Sequence, residues 1–242
     1  MSNSTTTQQA SFLADQKFFT RMALIMIAVI FVGFIQFSLR GLVDWSGAYA
    51  GVYIHGFLML AWLILLAGQN VLIQNRNFAL HRKLGWLAVP IVVGVLPTGF
   101  YTGYMAVLLD RVPPFFSDPY FLALTFIQTS VFGVMVLRGV AWRKQTQWHR
   151  RLMMGATFIV LEPAFGRLLP MPIIGQQGGW LIVLIQLGFV AWMGAHDRKT
   201  LGSVHPATII AGFLLIIVHS IVQLLAITPA WQAVATSIVR TG

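Results

Sequence analysis

The sequence predicts an all-α protein: a polytopic membrane helix bundle of seven transmembrane helices, N-terminus cytoplasmic and C-terminus outside. Three observations predict it. Hydrophobic residues make up 57% of the 242 residues, charged residues only 9%, and mean hydropathy is +0.78, the balance of a membrane chain. The apolar residues fall in runs of about twenty, enough to cross a hydrocarbon core of about 30 Å at about 1.5 Å per residue. The Lys and Arg residues gather in short segments on alternate connections, as the positive-inside rule requires.

Residues 1–18, polar and rich in Ser, Thr and Gln, read as a flexible cytoplasmic tail. The first apolar run follows Lys17 and Arg21. It is too long for a cleavable signal core and reads as a retained helix. Spans are expected at about 19–39, 49–73, 84–109, 119–142, 151–170, 178–196 and 206–227. They form one bundle over 19–227, with 228–242 as a short extracytoplasmic tail. Short connections make neighbouring helices antiparallel. Pro90 and Pro97 in the third span and Pro163 in the fifth remove backbone donors and predict kinks.

Orientation follows from the cations. Lys17, Arg21, Arg76, Arg82, Lys83, Arg138, Arg143, Lys144, Arg150, Arg151, Arg198 and Lys199 fall on the N-terminal side, against Arg40, Arg111, Arg167 and Arg240 on the other. The majority side is assigned to the cytoplasm. Trp45, Tyr49, Trp86, Tyr120, Trp142, Trp148, Trp180, Trp192 and Trp231 lie near span ends, as an aromatic belt does. Gly94, Gly188 and Gly212 permit close helix contacts, within a chain or between copies, so a homo-oligomer or a complex subunit stays open.

Composition also excludes functions. The net charge of +10 is spread over loops between apolar spans, so it argues for the lipid bilayer as partner and against nucleic acid. The chain has no cysteine, which removes disulfides, thiolate metal sites and cysteine nucleophiles. GxGxxG, Walker, HExxH and GxSxG patterns are absent, leaving nucleotide chemistry and the best-marked hydrolases unsupported. The seventh span has no mid-helix lysine for a retinal Schiff base.

Six histidines stand beside six acids. His81, His149, His196 and His205 fall at the cytoplasmic boundary. His55 and His219 fall inside spans, each roughly 9 Å from the outer surface, and Glu162, the only glutamate, comes within roughly 4 Å of that depth. Arg167 sits just above, and Gln36, Tyr101 and Tyr104 can reach the same layer. Intramembrane ionisable groups mark a functional site by default. Three readings follow. In the first, His55 and His219 ligate a b-type haem and His81 and His149 a second one. Arg82, Arg150 and Arg151 then meet the inner propionates and Arg167 the outer, and quinone or another membrane redox protein is the partner. In the second, His55, His219 and Glu162 hold a Zn or Fe ion that activates water or oxygen on a lipid, with Glu162 and Arg167 as catalytic residues. In the third, Glu162 pairs structurally with Arg167 or a histidine, in a cofactor-free accessory subunit.

LHRKLGWLAV (80–89) and WHRRLMMGATFIVLEPAFGRLLP (148–170), preceded by YIHGFLMLAWLILLAGQ (53–69), resemble a family of predicted bacterial inner-membrane proteins of unknown function. That family has an intramembrane histidine, then an HRxxG helix start, then an HRxxM helix start ending in arginine and Leu-Pro. The resemblance covers roughly residues 50 to 172 and places His55, His81, Arg82, Gly85, His149, Arg150, Met153 and Arg167 at its motif positions. Glu162 departs from the pattern, and the helix of His219 has no counterpart in it. The resemblance implies a multi-pass protein of the bacterial inner membrane and no particular activity.

Overall fold

The computed structural model describes residues 2–43, 45 and 47–240, with side chains from Ala14 onward except those of Gln176, Val239 and Arg240. Among them every element is helical. They are α1 (Ser2–Leu39), α2 (Ala50–Gln74), α3 (Phe78–Gly85), α4 (Ala88–Leu108), α5 (Asp118–Ala141), α6 (Thr146–Ile159), α7 (Glu162–Leu168), α8 (Met171–Ile174), α9 (Gly178–Leu201), α10 (Pro206–Ile227) and α11 (Pro229–Arg240). Among the described residues, six stretches are long and apolar enough to cross a membrane: Ala14–Leu39, Ala50–Gln74, Phe78–Leu108, Asp118–Ala141, Gly178–Leu201 and Pro206–Ile227. They coincide with six of the expected spans.

The remaining expected span, 151–170, is not one helix. The chain turns through Val160 and Leu161 between α6 and α7. Pro163 is the cause, because it has no N–H to offer the Ile159 carbonyl. Gln186 of α9 fills the gap: its Nε2 donates to the Phe158 carbonyl at 2.7 Å and lies 3.5 Å from that of Ile159. A buried amide thus satisfies backbone that neither water nor lipid could. In the third expected span the break falls at Trp86 and Leu87, with Pro90 in the first turn of the new helix, whereas Pro97 lies within an uninterrupted α4.

α6 and α7 occupy the middle of the bundle. Around them α1, α2, α4, α5, α10 and α9 each pack on the next. Phe18, stacked on His196 and edge-on to Trp192, closes the ring between α1 and α9. Every residue from Arg151 to Ile159 is buried. α5 serves as a ruler for this central segment. Its Gly139 accepts from His149, its Met135 faces Gly155, its Gln128 donates to Glu162, and its Tyr120 reaches Gly179 at the start of α9. The chain from His149 to Gly179 therefore runs antiparallel along nearly the whole of α5. Gly33 lets α1 close on α7, since a Cβ there would stand 2.8 Å from the Ala164 carbonyl oxygen.

One end of the bundle carries most of the cations and is called here the basic end. It is locked by two ion-pair networks. Arg151 and Asp197 are wholly buried, Arg151 Nε donating to Asp197 Oδ1 at 2.9 Å. Asp197 Oδ2 accepts from the Thr208 hydroxyl at 2.6 Å and the His205 backbone at 3.1 Å. Asp15 pairs with Arg150 and His196. These contacts join α1, α6, α9 and the start of α10.

Both tails differ from expectation. Helix α1 begins at Ser2, and within the expected flexible stretch Asp15 is ion-paired and Gln16 Nε2 donates to Asn70 Oδ1 at 3.2 Å. Most of residues 228–242 form α11, which buries Ala235 and Ile238 against Val107 and Leu122. Trp231 Nε1 donates to the Pro119 carbonyl at 2.8 Å. Polar composition hid the partners of the first tail, and the brevity of the second hid its apolar face. Met1, Thr241, Gly242 and the Arg240 side chain lie outside the described residues.

Candidate functional site: a histidine pair at the basic end

α2 reaches α3 through a turn in which Arg76 takes a left-handed conformation, φ 58°, uncommon for a side chain other than Gly, Asn or Asp. Asn77 then caps α3, its side chain accepting from the Leu80 backbone at 3.2 Å, a usual device for satisfying free amides at a helix start. The short helix so begun holds His81 beside His149 in the first turns of α6. Their ring centres lie 6.3 Å apart and their planes cross at 80°.

The two rings differ in their free atoms. His149 Nδ1 donates to the Gly139 carbonyl at 2.8 Å. A carbonyl can only accept, so this bond puts the proton on Nδ1 and leaves the Nε2 lone pair available, as in many metal-ligating histidines. His81 lies beside the main-chain carbonyl of Gln69, and its Nδ1 is buried with no hydrogen-bond partner. Gly85 follows His81 by four residues, on the same helical face. A Cβ there would meet only Gln69 Oε1, at 3.7 Å, so space remains beside the ring.

The expected cations are divided. Arg82 is exposed next to His81. Arg150 is held by Asp15 and by Gln147 Oε1, and Arg151 by Asp197. The last two bind helices together, which takes them out of the expected propionate-binding set. Their carboxylate partners come from α1 and α9, so sequence spacing gave no sign of them.

The residues expected to share a layer at the opposite end face different neighbours. His55 donates from Nδ1 to the Thr98 hydroxyl at 3.2 Å, that hydroxyl itself donating to the Gly94 carbonyl. His219 packs edge-on to Trp180 with ring centres 4.4 Å apart, and Gln223 Nε2 lies 3.2 Å from its Nε2. A Cβ on Gly179 would come within 2.4 Å of His219 Cε1, so that edge of the ring already rests on backbone. Glu162 accepts from Gln128. Arg167 donates to the Pro163 carbonyl at 2.8 Å and lies 4.1 Å over the Phe34 ring. Among the described residues no group of three His, Asp or Glu is placed to hold a metal ion. The expected set of His55, His219 and Glu162 is therefore not assembled. Equal depth brought these side chains to one layer, but helix rotation turned them to different interfaces.

Of the glutamines inside the apolar runs, only Gln36 was legible in the sequence as a candidate; Gln69, Gln128 and Gln186 were not. Gln128 serves Glu162 and Gln186 serves the α6–α7 break. Gln36 donates to the Arg167 carbonyl at 2.7 Å. Gln69 is the exception, with both amide atoms buried and unpartnered. The available signal was the cost of an amide in hydrocarbon, which demands a partner.

No family model, curated protein or solved structure matches the chain. The resemblance read from the HRxxG and HRxxM helix starts stands on those motifs alone.

Proposed function

We propose that the protein is an integral membrane redox protein of the bacterial inner membrane that carries one b-type haem between His81 and His149. The observation that carries this reading is the separation of the two rings. An iron held about 2 Å from each ligating nitrogen, with roughly 1 Å more from nitrogen to each ring centre, needs about 6 Å between centres. The pair lies 6.3 Å apart. Two imidazoles suffice for haem because the porphyrin supplies the other four nitrogens. A bare Zn or Fe ion needs three or four protein ligands, and the described residues offer no such group. Arg82 is the cation best placed for a propionate. A haem held by His81 and His149 would supply one-electron transfer, and the buried setting would tune its potential. A second haem on His55 and His219 has no comparable support, because His219 Nε2 lies beside the Gln223 amide.

In this reading α6 and α7 together form a seventh, discontinuous crossing, supported by their antiparallel run along α5. The excess of Lys and Arg assigns the basic end and the N-terminus to the cytoplasm and the C-terminus to the outside. The test is an absorption spectrum of the detergent-purified protein, expressed with a haem supply, before and after dithionite. A Soret band that shifts, with sharp reduced α and β bands at about one haem per chain, is expected. A colourless, folded protein that takes up no added haemin sinks the reading.

A further inference from the structure

Beside the histidine pair, a cleft of about 540 Å³ runs between α2 and the α3–α4 segment. Its walls are apolar, including Leu60, Ile64, Leu72, Leu84 and Ile91. Ile64, Val71 and Leu87 on its rim are exposed, so in a bilayer it opens sideways to lipid. The volume falls within the range of small-molecule sites, about 300–1,000 Å³. Gly68 lines it, and a Cβ there would meet nothing within 4 Å.

One polar side chain lines this cleft. Gln69 brings an amide whose Nε2 and Oε1 are both buried and unpartnered. An amide left unsatisfied in hydrocarbon is costly, and Gln36, Gln128, Gln186 and Gln223 of the spans have partners. The missing partner has readable chemistry. It offers an acceptor to Nε2 and, in another form, a donor to Oε1. It enters from the lipid side and carries an apolar chain. It also has a neutral head: Gln69 lies five residues, roughly 7 Å, inside the end of α2, below the cations Arg76, Arg82 and Lys83 that would meet a phosphate.

We propose that this cleft binds an isoprenoid quinone, its head hydrogen-bonded to Gln69 and its tail lying between α2 and α4. A quinone carbonyl accepts from Nε2, and a quinol hydroxyl donates to Oε1, so one amide serves both redox forms. The main-chain carbonyl of Gln69 lies beside the His81 ring, which sets the head next to the haem ligand. The site's redox use rests on the haem reading, but binding rests on the cleft alone.

The experiment titrates phosphatidylcholine nanodiscs containing the full chain with decylubiquinone. Retained quinone is extracted and counted against empty discs. About one saturable quinone per chain above partitioning is expected. Gln69→Leu, which keeps the volume and removes both polar atoms, and Gly68→Trp, which fills the cleft from an open position, should each weaken binding tenfold or more. Both variants should melt within a few degrees of the wild type. Quinone uptake equal to that of empty discs overturns the proposal. So does a phospholipid that survives detergent exchange and is not displaced. Saturable binding to a chain that takes up no haem would keep this site and remove the haem reading. A haem-loaded chain that binds no quinone would do the reverse.

Discussion

At the opposite end of the bundle, His219 rests its ring edge on Gly179 with its Nε2 beside Gln223, and Glu162 is met by Gln128. At the basic end, the ring centres of His81 and His149 lie 6.3 Å apart, and His81 Nδ1 and the Gln69 side-chain amide are buried without a hydrogen-bond partner. Both regions bring ionisable side chains into a low-dielectric bundle, where each polar atom must find a partner. At the opposite end His219 and Glu162 find them within the chain, as in a structural site. The basic end leaves several unmet, as a ligand site does before its ligand arrives. Unmet hydrogen-bonding capacity separates these two regions better than the count of histidines does.

The sharpest way to break this comparison is to exchange the histidines. His81→Ala or His149→Ala should abolish the haem bands, while His219→Ala should leave them in place, measured as reduced-minus-oxidised spectra at equal protein. The opposite pattern would move the ligand site to the other end. The next largest effect concerns stability at the basic end. Arg151→Ala strands the buried Asp197 carboxylate and should cost about 3–5 kcal/mol, read from denaturant unfolding in detergent. Arg150→Ala should cost clearly less, because Arg150 and Asp15 keep some solvent access. Equal losses would mean that both arginines share one role.

Packing at the opposite end gives a smaller effect. Gly179→Ala places a methyl 2.4 Å from His219 Cε1 and should cost about 1–3 kcal/mol through overpacking, with no change in any haem spectrum. A neutral result would reveal room at His219 and reopen that end as a site. The smallest effect is a pH dependence in the loop between α9 and α10. Burial, with the Arg151 guanidinium nearby, holds the His205 imidazole below its ordinary 6.5, and its Nδ1 accepts from the Ala207 backbone only when unprotonated. The unfolded chain therefore takes up the proton first. Stability contributed by this residue should fall as pH drops below about 6.5, and His205→Asn should flatten that limb of a melting-temperature profile.

Much of the fold was legible because a bilayer constrains helices through length and hydropathy, both of which are local. Six spans fell where apolar runs predicted them, and Pro163 marked the break that the structure shows between α6 and α7. The candidate residues were legible as types: histidines and a lone glutamate in apolar surroundings. Their pairing was harder to read. His55, His219 and Glu162 share a depth, but depth follows from the rise along a helix and leaves its rotation open.

The sequence by itself determined an all-helical chain of long apolar spans, the basic end, and the short list of polar groups that a bilayer makes costly. Tertiary structure alone decided which of them meet. It gave Arg150 and Arg151 to carboxylates on α1 and α9, gave the broken carbonyls of α6 to Gln186, and left His81 Nδ1 and the Gln69 amide without partners. The reason is physical: the cost of burying a polar group belongs to that group, whereas its satisfaction depends on which face of a distant helix packs against it.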